Sequence, residues 1–412
     1  MRGCRDRRFR RPGLVMPAMC LLMLAASACG VGGCSEEPSG SSGSEGSAAG
    51  GPASGSSVGV VGGGGAAGAA GAAAQAAAAS AAGSAESAAE PGVLRAGQTE
   101  VPDKADGAVR LATYNVLNLF DDRDDPSLTG RVDDFHDRRR GVRAKPAAQR
   151  QAVADAIRAI DADVLALQEI ESFDALVEFN ERYLSDLGYG YVTSIDVGQM
   201  RGIEQAVLSR LPIREARVWP GMPLEGVHPQ SRWNDRDGIT GEAIAYRRSP
   251  LLVRVEVPAG ARGNEESYEM HLAVVHHKSG RSAAYWRFAE AGGLLKKLAP
   301  MLDADPEMNL AVLGDFNDVP SAPHMGRYTG AGFSYAVDRS VERGEAVVTH
   351  ASGRAIDFIM LSPGLAEDVV AGSAFVYATP LLPEDADWRT APDPAGYASD
   401  HMPVAVDILP RD

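Results

Sequence analysis

Cysteine is missing from almost all of this 412-residue chain. The four cysteines lie within the first 34 residues, at Cys4, Cys20, Cys29 and Cys34. Everything after Cys34 is cysteine-free, so the folded part of the protein can contain neither a disulfide nor a metal site built from thiolates.

Positive charge is also scarce. The formal net charge is −15, and it falls to −20 without residues 1–28, which hold six arginines and one aspartate. A broad surface that coats nucleic acid is not expected, because such surfaces need clustered lysine and arginine. A small site in which a metal ion neutralises phosphate is compatible with this charge.

Apolar runs long enough to span a membrane comfortably are lacking too. The run over residues 14–26 follows an arginine-rich start and precedes two small residues and Cys29. This layout is typical of a secretory signal over residues 1–28. Small residues before a cysteine are similar to a bacterial lipoprotein cleavage site, which predicts that Cys29 is lipidated. Cys34 is a second candidate, and an ordinary cleaved signal peptide is the alternative.

Glycine, alanine and serine dominate residues 35–100. Few large apolar side chains are available there to offset the entropy lost on ordering, so residues 29–100 are predicted to be a disordered linker. A flexible tether of this length spans roughly 40–50 Å on average. The catalytic domain is predicted over residues 101–412, where no internal repeat of fixed period is present.

Short apolar runs alternate with turns from Val109 onward, and only two stretches have helical periodicity. The first follows Pro146 and places Val153, Ile157 and Ile160 on one face; the second covers residues 282–302. The charged segments at residues 121–125 and 138–140 are predicted to be a solvated loop. Many strands with few helices indicate two packed sheets with helices outside.

Residues 309–318 contain the most informative pattern. Four apolar residues lead to Gly314, and Asp315 and Asn317 follow two positions apart. Side chains two apart on a strand point the same way, so this acid and amide would face one spot. A carboxylate beside an amide suits phosphate and metal chemistry, whereas the alternative is a polar turn chosen for its local geometry.

Other polar side chains lie in or at the ends of predicted strands. A charged residue in such a position is costly unless it is paired or metal-bound. Each has a separate structural explanation when taken alone, as a core amide or an ion-pair partner. Taken together they indicate an active site, because such sites gather at strand ends. They are Asn115, Glu169, His276, Asp357, Asp400 and His401.

The motifs around these positions resemble those of the endonuclease/exonuclease/phosphatase superfamily, which includes deoxyribonucleases, abasic-site endonucleases, bacterial sphingomyelinases and inositol-phosphate phosphatases. The resemblance spans roughly residues 108–409 in consistent order. It implies an α/β fold, a four-layer sandwich of two mostly antiparallel β-sheets packed face to face with helices on the outside. The matching motifs are at residues 112–115, 167–169, 276–279, 314–317, 356–357 and 399–401.

The same resemblance implies a divalent-metal site. Glu169 is similar to the main metal ligand, with Asn115 and Asp400 close by. Oxygen ligands of this kind suit Mg²⁺, with Mn²⁺ or Ca²⁺ as alternatives.

It also implies the reacting groups. Asp315 is similar to the group that orients or deprotonates the attacking water, and Asn317 to the one that hydrogen-bonds the scissile phosphate. His401 resembles the histidine beside that phosphate, with Asp357 fixing its tautomer and favouring the imidazolium. His276 is similar to the second histidine, near the leaving oxygen.

The resemblance implies two further residues, and two loops are candidates for choosing the substrate. Arg248 falls where nucleases of the family have a phosphate-binding arginine, with Arg247 as the alternative, and Glu204 would support His276. The loops at residues 219–241 and 380–398 would choose the substrate. The first of them carries His228, Arg232, Trp233 and Arg236, a mixture suited to stacking and phosphate contact.

These observations predict a monomeric, Mg²⁺-dependent phosphodiesterase of the cell envelope, lipid-anchored to a bacterial membrane or secreted. A nuclease is favoured, because residues 276–279 resemble the His-x-Lys-Ser run of bacterial extracellular nucleases. A sphingomyelinase-type phospholipase C or a phosphomonoesterase is the alternative within enzymes. A catalytically inactive binding module is the alternative outside them.

Overall fold

The structure is a computed structural model. Predictions for the signal peptide, for Cys29 and Cys34, for most of the linker and for the charged segment after residue 123 lie outside the residues that it describes. No helix within the described residues has the length and hydropathy needed to cross a lipid bilayer. The described ranges are 92–123, 144–199, 201–337, 347–387 and 390–411.

Fourteen strands, six α-helices and one 3₁₀ helix (Arg281–Ala283) form from these residues. The strands are β1 Val109–Leu119, β2 Val164–Ile170, β3 Tyr191–Ser194, β4 Glu204–Ser209, β5 Ile213–Arg217, β6 Pro223–Val227, β7 Ala243–Ala245, β8 Leu251–Val257, β9 Tyr268–His276, β10 Leu310–Asp315, β11 Ser334–Tyr335, β12 Asp357–Leu361, β13 Phe375–Val376 and β14 Val404–Ile408. The helices are α1 Ala147–Ile160, α2 Phe173–Tyr183, α3 Arg232–Arg236, α4 Ala284–Ala304, α5 Met325–Gly330 and α6 Pro363–Glu367.

Two six-stranded sheets hold most of these strands. The first has the order β13-β14-β1-β2-β4-β3 and the second β11-β12-β10-β9-β8-β5, while β6 and β7 form a separate ribbon. All neighbours in the two large sheets are antiparallel except one central pair in each, β1 with β2 and β9 with β10. The prediction of two mostly antiparallel sheets is confirmed.

Three apolar cores separate the layers. Side chains alternate along each strand, so Leu111 faces the second sheet and packs in one core with Leu272 and Leu313. The next residue, Ala112, faces the other way, into a core shared with α1 and α2. Helices α4 and α5 cover the outer face of the second sheet, around Phe316. The result is a four-layer α/β sandwich, as predicted.

The two predicted helices, α1 and α4, are present, and the four shorter helices α2, α3, α5 and α6 were not predicted. Val153, Ile157 and Ile160 of α1 are fully buried against the first sheet. Helix α2 directly follows β2 and was not predicted. Its start is capped by Ser172, whose Oγ accepts the N–H of Ala175 at 3.1 Å.

Residues 92–100 belong to the folded body, although composition assigned them to the linker. Val93 and Leu381 exchange two backbone hydrogen bonds of 3.0 Å. Gln98 donates to the carbonyl of Val376 and accepts from the N–H of Ala378, both at 2.9 Å. The ordered chain therefore includes residue 92, nine residues before the predicted boundary.

Candidate active site

The two parallel strand pairs carry the candidate residues to one place. Asn115 lies opposite Gln168 on β1 and β2, next to Glu169, while Asp315 lies opposite both His276 and Asp357. The halves meet across the sandwich, where Nδ2 of Asn115 donates to Oδ2 of Asp315 at 3.2 Å. One hydrogen bond thus joins the polar ends of the two sheets.

Unusual backbone geometry aims two of these side chains. Glu169 has φ +68°, and the pairing of β2 with β4 shifts register between Gln168 and Ile170. Asn317 has φ +56°. Left-handed conformations at non-glycine residues are costly and cluster at functional sites, as do bulges that re-aim a side chain.

Asp315 is the centre of the cluster. It is 2% exposed and accepts the N–H of Asn317 at 2.7 Å, besides the side-chain amides of Asn317 and Asn115. Nε2 of His276 and Nε2 of His401 approach its Oδ2 to 3.4 and 3.9 Å. Burial raises the pKa of Asp315 to about 6, and the positive charge of His401 partly opposes this shift. A carboxylate with such a pKa is matched to accepting a proton near neutral pH.

His401 is held as an imidazolium. Its Nδ1 lies 3.0 and 2.9 Å from the two carboxylate oxygens of Asp357. Burial alone would lower the pKa of His401, but Asp357, Asp315 and Asp400 raise it well above its ordinary value. Thr349 completes the arrangement, because its Oγ1 donates to Oδ2 of Asp357 at 2.8 Å. Nε2 of His401 is left facing Asp315.

His276 is the neutral member of the histidine pair. Burial, followed by the charges of Arg248 and Arg201, lowers its pKa well below the ordinary value. Its Nε2 lies 3.7 Å from Oε1 of Glu169. Among the described residues its Nδ1 has no hydrogen-bond partner. Glu204, predicted to support it, instead accepts the N–H of Val197 at 3.3 Å.

Arg248 rather than Arg247 lies beside the cluster. Arg248 is 5% exposed, and its guanidinium donates to the carbonyl of His277 at 3.0 Å. The same carbonyl accepts the side-chain amide of Asn317 at 3.0 Å. Arg247 is exposed, and its guanidinium stacks on Trp286, 4.7 Å from the ring centre.

Comparison with known families agrees with this geometry. A sequence model of the Endonuclease/Exonuclease/phosphatase family matches residues 112–401. The chain belongs to this family. Members of the superfamily are divalent-metal-dependent hydrolases of phosphoesters, so the chain is a phosphoesterase at that level of description. Comparison with curated protein sequences found no match.

Three solved structures are similar to this chain at low sequence identity, and their names differ in function. The human Nocturnin catalytic domain with bound sulfate is 16% identical over 74% of this chain and 95% of its own, with a TM-score of 0.46. An AP endonuclease from Archaeoglobus fulgidus is 15% identical over 73% and 99%, with a TM-score of 0.40. A mannosyl-6-phosphatase from Bacteroides thetaiotaomicron is 16% identical over 72% and 98%, with a TM-score of 0.41.

The residues proposed to hold a divalent ion fit a hard cation by their chemistry. Glu169, Asn115 and Asp400 all offer oxygen atoms, which Mg²⁺ prefers. Oδ1 of Asp400 is buried and has no hydrogen-bond partner within the described part of the chain. Burial raises the pKa of Asp400, but the contact with His350 and the charge of His401 outweigh it and lower the pKa to about 2. Asp400 is therefore ionised, as a metal ligand must be.

The acid and histidine side chains of the described residues gather into two sets whose ligand atoms lie within 4.8 Å of one another. Glu169 belongs to neither set; its Oε2 accepts the N–H of Asn118 at 3.1 Å. The structure thus places Glu169 with His276 and places Asp400 with His401. The two sets are His350, Asp400 and His401, and Asp315, Asp357 and His401.

Two residues of the site were missed in the sequence. Nε2 of His350 lies 3.3 Å from Oδ2 of Asp400, and its ring stands edge-on to that of His401 at 4.6 Å. Lys145 is 4% exposed and donates to the carbonyl of Leu117 at 2.9 Å. Burial lowers the pKa of Lys145 to about 8, although Asp400 and Glu169 oppose this shift. The sequence gives no sign that Lys145 is buried, because it lies between a charged segment and the proline that opens α1.

Proposed function

We propose that the chain is a Mg²⁺-dependent phosphodiesterase that cleaves nucleic acid. The observation that carries the proposal is the position of Asp315, which is hydrogen-bonded to Asn115 of the opposite sheet and faces both His276 and His401. A carboxylate of raised pKa between one neutral and one charged histidine suits the hydrolysis of an anionic ester.

Hydrolysis of a phosphodiester needs an aimed water and stabilisation of the negative charge that develops on phosphorus oxygens. In the proposed mechanism Asp315 orients the water and takes its proton. Arg248 and Asn317 would hold the phosphate, because their donor groups lie side by side at the carbonyl of His277. An N–H of Asn317 that donates to this carbonyl or to Asp315 would then turn to a phosphate oxygen. His401, kept charged by Asp357, stabilises the phosphorane-like state.

The leaving oxygen and the metal complete the proposal. His276 is neutral and carries a ring N–H that can donate to an oxygen of the departing group. A divalent ion held by Glu169, Asn115 and Asp400 would supply positive charge to the phosphate and lower the pKa of nearby water.

The full-length chain incubated with Mg²⁺ tests this function. The substrates are duplex DNA, RNA, sphingomyelin, a phosphomonoester and bis-(p-nitrophenyl) phosphate, and Asp315→Asn is the inactive control. Cleavage of DNA or RNA, lost in Asp315→Asn and on chelation with EDTA, is the expected result. Hydrolysis of sphingomyelin or of the monoester alone would replace the nuclease by the corresponding alternative. Activity that survives exhaustive chelation would remove the metal from the mechanism.

We also propose that the protein is tethered to a membrane through a lipid on Cys29. The support is the arginine-rich start, the apolar run and the small residues before this cysteine. Membrane partition should be lost in Cys29→Ser and kept in Cys34→Ser. Partition unchanged in both single variants and in their double variant contradicts the lipid anchor.

A further inference from the structure

Two cations lie over one aromatic ring beside the proposed reaction centre. The guanidinium of Arg247 lies 4.7 Å from the ring centre of Trp286, and the ammonium of Lys278 lies 5.9 Å from it. Trp286 is 5% exposed, and its indole N–H donates to the carbonyl of Ala245 at 3.0 Å. The ring is therefore fixed, and the two cations are held near each other.

The charge of Glu290 acts on Lys278, but neither cation is held in an ion pair within the described part of the chain. Among the described residues, neither Arg247 nor Lys278 makes a side-chain ion pair with a carboxylate, and Nζ of Lys278 donates only to the carbonyl of Ser279. The neighbouring acid, Glu290, uses its carboxylate to accept the backbone N–H of Lys278 at 2.8 Å. Burial and the charges of Arg248 and Arg247 lower the pKa of Lys278 to about 8, although the charge of Glu290 partly opposes this shift. Such crowding of like charge is stabilised when an anion binds.

The pair adjoins the groups proposed to hold the scissile phosphate. Lys278 follows His277, whose carbonyl is shared by Arg248 and Asn317. Arg247 precedes Arg248 in the chain, but it is exposed where Arg248 is buried. An anion at Arg247 and Lys278 would therefore sit next to the first phosphate and closer to solvent.

We propose that Arg247 and Lys278 form a second phosphate site, which binds the phosphate neighbouring the cleaved one in a nucleic-acid strand. The inference rests on the proposed function and deepens it. An isolated diester, a monoester or a phospholipid with one phosphate leaves this site unfilled. A chain of phosphodiesters presents two phosphates one linkage apart, so a second phosphate site would let an acidic protein select a polyanion without a broad basic surface.

The test compares a substrate with one phosphate and two oligonucleotides that differ from each other by one charge. They are bis-(p-nitrophenyl) phosphate, an oligonucleotide, and the same oligonucleotide with the phosphate next to the cleaved one replaced by uncharged methylphosphonate. For the double variant Arg247→Ala/Lys278→Ala we expect kcat/KM on the oligonucleotide to fall about 10- to 100-fold, the usual range for losing a charge-assisted contact. On bis-(p-nitrophenyl) phosphate the change should stay within about twofold, since no second phosphate is present.

The methylphosphonate substrate isolates the contact. It should lower kcat/KM of the wild-type protein as much as the double variant does, and it should have little further effect on that variant. A surface control is Arg214→Ala, which removes one cation away from the site, because Arg214 pairs with Glu256 on the exposed far end of β5. This control should behave as wild type on all three substrates.

Several results would overturn the second site. Equal losses on bis-(p-nitrophenyl) phosphate and on the oligonucleotide would place Arg247 and Lys278 in the reaction centre itself. An unchanged double variant would show that they contact no phosphate. If the wild-type protein cleaves bis-(p-nitrophenyl) phosphate but no oligonucleotide, the nuclease proposal fails separately. In that case the second site is tested by binding. Fluorescence anisotropy compares oligonucleotide affinity of Asp315→Asn with that of the same variant carrying Arg247→Ala/Lys278→Ala. Equal affinities contradict the second site.

Discussion

At the scale of single residues, the best-defined feature is the buried pair of Asp357 and His401. Asp357 lies in an apolar strand among Ile356, Phe358 and Ile359, where an unpaired charge would be very costly. The carboxylate is instead satisfied from two sides, by Nδ1 of His401 and by the hydroxyl of Thr349. The contact expected from the sequence is present, and its contribution to turnover stays a prediction.

Asp357→Asn should leave the fold intact and lower kcat by about 10²–10⁴-fold, because His401 would lose both its orientation and its charge support. Adding His401→Ala should cost little more than His401→Ala alone, since residues that act as a unit are not additive. Steady-state kinetics on bis-(p-nitrophenyl) phosphate measures both effects. Thr349→Val is the comparison variant: it keeps shape but removes one donor to the carboxylate and the acceptor of the N–H groups of Ile356 and Asp357. It should lower stability and reduce kcat by no more than about tenfold. Multiplicative losses in the double variant would show that Asp357 and His401 act independently.

The raised pKa of Asp315 predicts that its contribution to the free energy of unfolding depends on pH. Its folded-state pKa of about 6 lies above the ordinary value, so between about pH 4 and 6 the folded chain binds more protons than the unfolded chain. This residue's contribution to stability therefore falls as pH rises through that window. In EDTA, the unfolding free energy of Asp315→Asn relative to wild type should shift in the variant's favour by about 1–3 kcal/mol between pH 4 and pH 7.

Urea titrations at several pH values give this difference. Asp318→Asn serves as the control. Burial raises the pKa of Asp318, but the N–H of Val319 and the side chain of Arg287 outweigh burial and lower it. Its titration therefore lies below the window, and its difference from wild type should be flat from pH 4 to pH 7. A flat difference for Asp315→Asn as well would show that Asp315 titrates normally.

At the scale of elements, Gly314 decides whether β9 and β10 can pair beside the site. It has φ +138°, and a Cβ there would lie 2.0 Å from the carbonyl oxygen of Val275. The carbonyl belongs to the backbone of the parallel partner strand and cannot move without disturbing the register of His276 with Asp315. The absence of a side chain at Gly314 therefore allows the close strand pairing that sets the distance between His276 and Asp315.

Gly314→Ala should destabilise the protein by at least about 3 kcal/mol, through overpacking and backbone strain combined. Gly326→Ala is the matched control, because Gly326 lies on the exposed side of α5 with no atom near a Cβ. That change should be neutral or stabilise by up to about 1 kcal/mol. Denaturant unfolding compares the two, and similar values for both alanines would rule out the clash at Gly314.

Elements with a clear period could be predicted from the sequence, and contacts between loops could not. Strand β1 and helix α1 follow directly from apolar spacing that one sheet face or one helix face requires. Helix α2 carried the usual signs, a capping serine and buried Leu176 and Phe179, but it is short and directly follows a strand. His350 and Lys145 lie outside the strands, so only tertiary packing brings them to Asp400 and Leu117.

At the scale of the whole molecule, residues 92–100 connect the first described segment to the last third of the chain. Besides the backbone pairs at Val93 and Gln98, the guanidinium of Arg95 donates to the carbonyls of Ala351 and Leu382. Ala351 follows His350, so this segment braces the turn that carries a histidine of the site.

Removing residues 1–91 should leave stability and the kcat on bis-(p-nitrophenyl) phosphate unchanged. Removing residues 1–100 should cost about 1–3 kcal/mol, since the lost hydrogen bonds outweigh the ordering entropy they require. Thermal unfolding of the two shortened chains provides the comparison. Arg95→Ala in the chain that lacks only residues 1–91 should show part of this loss of stability. Equal melting temperatures for the two chains would show that residues 92–100 do not stabilise the fold.

Strand order also sets when activity can arise during synthesis. The first strand of the body, β1, lies between β2 and β14, and β14 is the last strand that the structure describes. Until β14 has left the ribosome, one edge of β1 is open, and Asp400 and His401 have only just been made. A prematurely terminated product therefore lacks a complete sheet and a complete site at once, and it exposes an edge prone to aggregation. Phosphoesterase activity is thus withheld from every copy whose synthesis stops before β14.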